Sequence, residues 1–482
     1  MSVPWAKRLH NPDKLAAPAI WLGTFLVYLA TLAPTVATND AGRFQIAAPL
    51  LGTGHPTGYP TFILVGKLFT YLPFGDIAYR LNLMAAFFGA VAAVLLYLLV
   101  RELGGHPLPA AGAALLAAFS STIWRQATVA EVYTMHAAFL LGITLLLLRW
   151  RRGGNGWLLP VGGLLYGLSL GNNAGMALFA PAFLILLFAG RLRDLSRPTL
   201  AGAFAFFILG LSVYAYVPIR GFAGAWHNYG DPVRGWGDVW ALISGARFQG
   251  LMGATPSEMA YNAARFAGDF ATQAALVGAV LIAPAVLAAA LYGAVAVFRE
   301  DFAAGAALSA GIACAFGYAI NYKIDDISVY YIPVYLLLYA LAAVGVTEFA
   351  GSWRREGALW VPVVAAVMVC GVNYAPQDRS GYYEERDRSE AILARLPQDA
   401  VLYGELPIVP MTYVAKVEGA REDVTLRWAD EQTLMTRLER DLESGRPVFL
   451  LSDPRYNEER RAIVEPYARW REEDGLVLLT PR

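Results

Sequence analysis

Charge is scarce in this chain. Lys, Arg, Asp and Glu together make up 16% of its 482 residues, against roughly 25% in an ordinary soluble domain. The 38 basic residues balance the 38 acidic ones, so there is no global field to attract nucleic acid or an acidic partner. Cysteine is almost absent. Cys314 and Cys370 are the only two, and both lie inside apolar runs. That excludes a disulfide framework and a cysteine-based metal site, and leaves them as small buried hydrophobes.

Apolar residues are plentiful, at 57%, and their distribution matters more than their total. From Leu15 to Tyr374 the charges sit in short clusters between long apolar runs. After Ala375 they become dense, as in Glu384, Glu385, Arg386, Asp387 and Arg388. The first regime is written for lipid and the second for water. Runs of a length suited to spanning helices fall at 15–33, 81–100, 108–124, 132–150, 157–171, 174–190, 199–219, 271–298, 302–320, 329–350 and 358–374. The run 59–74 is short and opens with Pro60, so it reads as a reentrant or interfacial helix. With that run not spanning and the N-terminus cytoplasmic, about thirteen basic residues face inward and about five occupy short outer loops, as the positive-inside rule prefers. The inner set includes Lys7, Arg8, Lys14, Arg101, Arg149, Arg151, Arg152, Arg191, Arg193, Arg197, Arg299, Arg354 and Arg355. Eleven spans then put the C-terminus outside. The first apolar run, about 19 residues, is long for a cleaved signal segment of about 7–15, so it is expected to be a retained helix.

The stretch 375–482 alternates. Helical patterns at 382–396, 407–417 and 430–443 are interleaved with strand-like runs at 400–403, 424–426 and 448–451, an α/β pattern without GxGxxG or a phosphate loop. The expected organisation is therefore an all-α polytopic membrane domain over 1–374, with large outer loops at 34–80 and 220–270. A small soluble extracytoplasmic α/β domain over 375–482 follows it.

In this orientation the unusual polar residues collect on the outer face. Asp40 follows the first span, and His55 and Tyr59 lie in Gly54-His55-Pro56-Thr57-Gly58-Tyr59-Pro60. Glu131 and Tyr133 precede a span, and Asn172 and Asn173 separate two. Arg220 ends Tyr216-Val217-Pro218-Ile219, and Asp325 and Asp326 precede Tyr330 and Tyr331. Polar groups at the rim of a bundle mark a site by default. Each also has a plainer reading: Asp40 as the N-cap of a helix over 41–50, His55 as a turn residue, Glu131 as a helix-start acid, Arg220 as a snorkelling side chain, and Asp325 as a cap.

The same residues carry a resemblance. Asp40, the turn His55-Pro56-Thr57-Gly58-Tyr59-Pro60, Tyr79-Arg80-Leu81-Asn82 and Trp124 with Glu131-Val132-Tyr133 form an ordered series. Gly167-Leu168-Ser169 with Asn172, Val217-Pro218-Ile219-Arg220 and Tyr229-Gly230-Asp231-Pro232 continue it. The series resembles a bacterial membrane family, formerly of unknown function, that includes the animal endoplasmic-reticulum O-mannosyltransferase acting on plexin-type receptors. That family is similar to the GT-C class of glycosyltransferases. The resemblance covers about residues 15–350. Where the pattern has Asn-His after Gly-Leu-Ser, this chain has Asn172-Asn173, so no histidine can act there.

The resemblance implies a GT-C-like bundle in the cell (inner) membrane that moves mannose or a similar hexose from a polyprenyl-phosphate carrier to a protein or glycan hydroxyl outside. In such a reaction Asp40 is the expected general base, and Arg220 the expected holder of the donor phosphate. His55, Tyr59, Glu131, Tyr133, Asn172 and Asp325 are expected to line the substrates. No cofactor or metal is called for beyond the lipid-linked donor, and no nucleic-acid partner. A transporter or flippase using the same rim residues is the alternative. A scaffold that merely displays the C-terminal domain is a third.

Overall fold

The structure is a computed structural model that describes residues 11–189, 196–227, 233–273, 282–452, 457–473 and 475–481. Lys7, Arg8, Arg191, Arg193, the segment Tyr229-Gly230-Asp231-Pro232, residue 190 and the 274–281 part of the expected 271–298 span lie outside these.

Helices dominate. The first are α1 (Asn11–Ala30), α2 (Asn39–Leu50), α3 (Pro60–Phe69), α4 (Ile77–Glu102), α5 (Pro107–Ala118), α6 (Ser121–Ala127) and α7 (Tyr133–Arg151). Among the described residues eight helices are long and apolar enough to cross a membrane. A ninth span exists if α5 and α6, bent by 66° at a short break, count as one. The protein is an integral membrane protein, but the number of spans that meet the length requirement is lower than eleven. The difference lies in 157–171 and 174–190. These form the shorter helices Leu158–Asn172 and Ala174–Phe188. The first has 15 residues, and at about 1.5 Å each it covers little more than two thirds of a ~30 Å hydrocarbon core. Asn173 causes the break. It is extended (φ −157°, ψ 117°), and its side-chain oxygen accepts the Gly175 amide to start a 3₁₀ turn. Helix α3, with 10 residues, is too short to span.

Packing follows membrane rules. The outward faces of 197–211 and 361–377 carry Phe204, Leu209, Val361 and Val367, each more than half exposed, as a lipid-facing surface requires. Between helices, small residues permit close approach. Gly293 and Gly345 meet so tightly that a Cβ on either would strike a backbone carbonyl of the other helix. At the end of the bundle that carries the basic clusters, Arg149, Arg151 and Arg152 pair with Glu102 and Asp301. This network ties α4 and α7 to the start of 302–320.

The C-terminal region folds as a five-stranded sheet. Its strands are β1 (Val401–Gly404), β2 (Thr425–Trp428), β3 (Val448–Leu451), β4 (Ala468–Glu473) and β5 (Leu476–Pro481), in the order β2-β1-β3-β5-β4. β2, β1 and β3 are parallel, while β5 pairs antiparallel with both β3 and β4. The first three strands were expected; the closing hairpin was not. The region is docked onto the loop after α1, α2 and the start of α4. Val36, Ile46 and Ala78 share one core with Leu402, Val409, Met411 and Tyr413. The Ala78 amide donates to the Tyr413 hydroxyl at 2.9 Å, and Arg386 bridges Asp76 and Glu418.

Candidate functional site

The site begins at the loop after α1. Pro34 and the irregular residues that follow it carry the chain to Thr38, whose extended backbone occupies the N-cap of α2 without a side-chain cap bond. Asn39 adopts φ +56°, a left-handed conformation that asparagine tolerates better than most residues. Asp40 therefore lies in the first turn rather than at the cap. The plainer expectation, a capping Asp40, is not what the backbone does. Its carboxylate accepts a hydrogen bond from Arg43 Nη1 at 3.2 Å, and its other oxygen lies 3.6 Å from His55 Nε2. The side chain is 45% exposed, so the carboxylate opens onto free space.

Two cavities meet at this point, and Asp40 and Arg43 belong to the walls of both. One, of ≈ 630 Å³, is charged: Asp40, Glu131 and Asp326 face Arg43, Arg125 and Arg379, with Gln126, Tyr382 and Leu406 completing the wall. The other, of ≈ 520 Å³, is aromatic: His55, Tyr59, Tyr133, Tyr318, Tyr322 and Tyr330 line it with Asn173. Among the described residues lining that second cavity, Arg43 is the only cationic side chain.

Burial shapes the electrostatics. His55 is held below the usual histidine range by desolvation, which the nearby Asp40 offsets only in part, so its ring is neutral at neutral pH. Glu131 is pushed well above the carboxylate range, first by desolvation and then by the charges of Asp40 and Asp326. Asp326 is also raised, mainly by desolvation. Several buried polar atoms around the cavities have no hydrogen-bonding partner among the described residues, namely His55 Nδ1, Gln126 Oε1 and Asn172 Oδ1. Such atoms are uncommon in folded proteins and need an explanation.

The expected residues divide into those that line the cavities and those that do not. Asp40, His55, Tyr59, Glu131 and Tyr133 converge. Tyr59 packs its ring against His55 and Phe44 at centroid distances of 4.5 and 5.1 Å. Asn172 lies behind the wall, donating to the Val132 carbonyl at 3.2 Å, while its neighbour Asn173 faces the cavity. Asp325 is absent from both walls, and its backbone carbonyl accepts from Arg265; Asp326 takes the lining position. Arg220 is absent from both walls. Its Nε donates to the Leu51 carbonyl at 2.8 Å and its Nη2 to the Leu50 carbonyl at 3.4 Å. It closes the C-terminal end of α2, where carbonyls lack intrahelical donors. Sequence reasoning did not single out Arg43 or Arg379. The i, i+3 spacing of Asp40 and Arg43 was a usable signal; nothing local marked Arg379.

With this geometry in view, comparison with known proteins is informative. Residues 40–196, about a third of the chain, match the family model described as Protein O-mannosyl-transferase TMEM260 N-terminal domain. Protein O-mannosyl-transferase TMEM260 of Mus musculus is 31% identical over 211 residues, covering 42% of this chain and 30% of the mouse protein. The Dictyostelium discoideum protein of the same name is 27% identical over 124 residues, covering 25% of this chain and 15% of its own length. The chain thus spans less than a third of either curated relative. Among solved structures, ArnT from Cupriavidus metallidurans bound to undecaprenyl phosphate superimposes with a TM-score of 0.60 at 13% identity, covering 97% of both chains. The Archaeoglobus fulgidus oligosaccharyltransferase reaches 0.52 at 13% identity, over 96% of this chain and 73% of its own. Over the matched stretch the chain is similar to proteins named O-mannosyl-transferases, and its fold is one it shares with ArnT and the oligosaccharyltransferase.

Proposed function

We propose that the chain is a membrane glycosyltransferase that moves a hexose, mannose or a close relative, from a polyprenyl-phosphate carrier to an acceptor hydroxyl outside the cell membrane, with inversion at the anomeric carbon. The observation that carries this reading is the position of Asp40 on the wall between two cavities, with one carboxylate oxygen bonded to Arg43 and the other near the neutral His55. The aromatic cavity suits the donor. Tyrosine faces pack against a sugar ring, and Arg43 offers a guanidinium to the phosphate. The acceptor hydroxyl approaches from the charged cavity. Asp40 takes its proton as the oxygen bonds to the anomeric carbon; the bond from that carbon to the phosphate oxygen breaks, and polyprenyl phosphate leaves with its charge met by Arg43. The phosphate role moves from Arg220, which is engaged with Leu50 and Leu51, to Arg43.

The test is incubation of purified protein with radiolabelled polyprenyl-phosphate hexoses, scoring labelled macromolecular product and free sugar. Release of polyprenyl phosphate together with one of these products supports the reading. Intact donor for every hexose, at protein concentrations that bind it, contradicts it.

A further inference from the structure

Many of the described arginines have a carboxylate or carbonyl partner. Arg101 is bonded to Asp13, Arg152 to Glu102 and Asp301, and Arg427 to Asp441. Arg125 and Arg379 differ. They come from α6 and from the link after 361–377, and both line the charged cavity beside Asp40. Neither guanidinium makes a hydrogen bond or ion pair with any described residue. They are near neighbours, since after desolvation the charge of Arg125 is the next cause holding Arg379 below the usual arginine range. Two like charges set side by side on a cavity wall can hold an anion, and the carboxyls of Glu131 and Asp326 that share the wall are both raised by burial, which favours their neutral forms. The second sign of a ligand is Gln126. It is 7% exposed, lines the same cavity, and its Oε1 has no partner, so it can accept from an N–H or O–H group.

The roof of the cavity places the ligand on the water side. Leu406 belongs to the loop that directly follows β1. In a sheet ordered β2-β1-β3, the carboxyl ends of β1 and β3 form the switch point where α/β sheets bind ligands. At the end of β2, the Trp428 ring lies 5.2 Å from the Arg43 guanidinium carbon. The carboxyl edge of the C-terminal sheet thus faces the reacting centre. Val129 and Ala37 supply an apolar strip opposite, which suits small side chains.

We propose that the charged cavity is the acceptor subsite for an acidic polypeptide segment, in which Arg125 and Arg379 pair with carboxylates flanking the residue whose hydroxyl reaches Asp40. This rests on the glycosyl-transfer reading but is tested without donor. Binding of two synthetic peptides, Ac-Ala-Glu-Thr-Glu-Ala-NH₂ and its Gln-for-Glu counterpart, is measured on the full chain in detergent, with phosphatidylglycerol and phosphatidylcholine mixed micelles as a second arm. The acidic peptide is expected to bind about tenfold tighter than the neutral one, the equivalent of one good charge-assisted contact. In the Arg125→Gln/Arg379→Gln variant that preference is expected to disappear, while affinity for polyprenyl phosphate stays within twofold. Equal binding of the two peptides by the wild type overturns the proposal, as does a preference that survives in the variant. A preference for phosphatidylglycerol without one for the acidic peptide overturns it in favour of a lipid acceptor. Failure of the glycosyl-transfer reading would show instead as unturned donor, whatever the peptides do.

Discussion

Gln45 and Asn82, both buried, are joined by a 2.7 Å bond from Gln45 Nε2 to Asn82 Oδ1. Each also reaches the loop that delivers Asp40. Asn82 Nδ2 donates to the Ala33 and Thr35 carbonyls at 2.8 and 3.2 Å, and the Ala37 amide donates to Gln45 Oε1 at 2.9 Å. Two amide side chains from α2 and α4 thus hold the chain between Ala33 and Ala37, just ahead of the site. Replacing Asn82 with Leu leaves two buried carbonyls without partners and the Gln45 amide with only the Ala78 carbonyl at 3.5 Å. A loss of roughly 1–3 kcal/mol is expected for each group left unsatisfied, together with lower transfer activity because Asp40 is no longer held in place. Thermal unfolding and transfer by Asn82→Leu check this; an unchanged melting temperature would show that the network is dispensable.

Glu131 gives a pH signature. Its pKa in the folded state is raised well above 4.5 by desolvation and by Asp40 and Asp326. The folded protein therefore holds this proton more tightly than the unfolded chain does. The associated stability is fully present below the unfolded value and is lost as pH rises toward the folded one. Glu131→Gln removes that loss. The variant should melt higher than wild type near pH 7, with the gain vanishing near pH 4. A gain independent of pH would mean that Glu131 is not the group responsible.

Gly42 lies two residues after Asp40 and against the C-terminal region. A Cβ there would meet Val409 Cγ1 at 2.7 Å and would also strike the Ala37 carbonyl. Gly42→Val should cost about 1–3 kcal/mol, as overpacking does, and should loosen the contact between α2 and the sheet region. Adding Val409→Ala should recover part of the loss, since the Ala37 carbonyl cannot move aside. A double-mutant cycle on thermal stability measures this, and strict additivity would rule out the contact.

Arg220 separates a structural role from a binding one. With its guanidinium on the Leu50 and Leu51 carbonyls, Arg220→Ala should lower stability by about 1.5–3 kcal/mol, the usual scale for hydrogen bonds to a charged group. Donor affinity should fall far less than in Arg43→Ala. Titration of polyprenyl phosphate against both variants decides between the two arginines, and a larger effect at Arg220 would restore the phosphate role to it.

The membrane architecture was legible because long apolar runs and basic clusters are read directly by lipid and need no partner. The convergence of Asp40, His55, Tyr59, Glu131 and Tyr133 was legible for a related reason, since all sit in loops or first turns of helices assigned to one face. What escaped was finer. Whether Asn172 or Asn173, Asp325 or Asp326, faces a cavity depends on where a helix stops, and a one-residue shift reverses the answer. Arg220 lies off both walls because its acceptors are backbone carbonyls of α2, which leave no trace in composition. Leu406 reaches the site only through the docking of the C-terminal region, and Arg379 because its amide donates to the Thr31 carbonyl at the end of α1; no local pattern encodes either contact. The pair Asn172-Asn173 ended a helix early and so reduced the number of full-length spans.

The account turns on Asp40 as the base. Asparagine keeps the shape and the hydrogen bond from Arg43 but cannot take a proton. Transfer from a labelled polyprenyl-phosphate hexose, measured for Asp40→Asn alongside donor affinity and melting temperature, is the most direct test. Transfer should fall by about 10²-fold or more, with the other two quantities near wild type. Near-normal transfer by a folded, donor-binding Asp40→Asn would contradict the account.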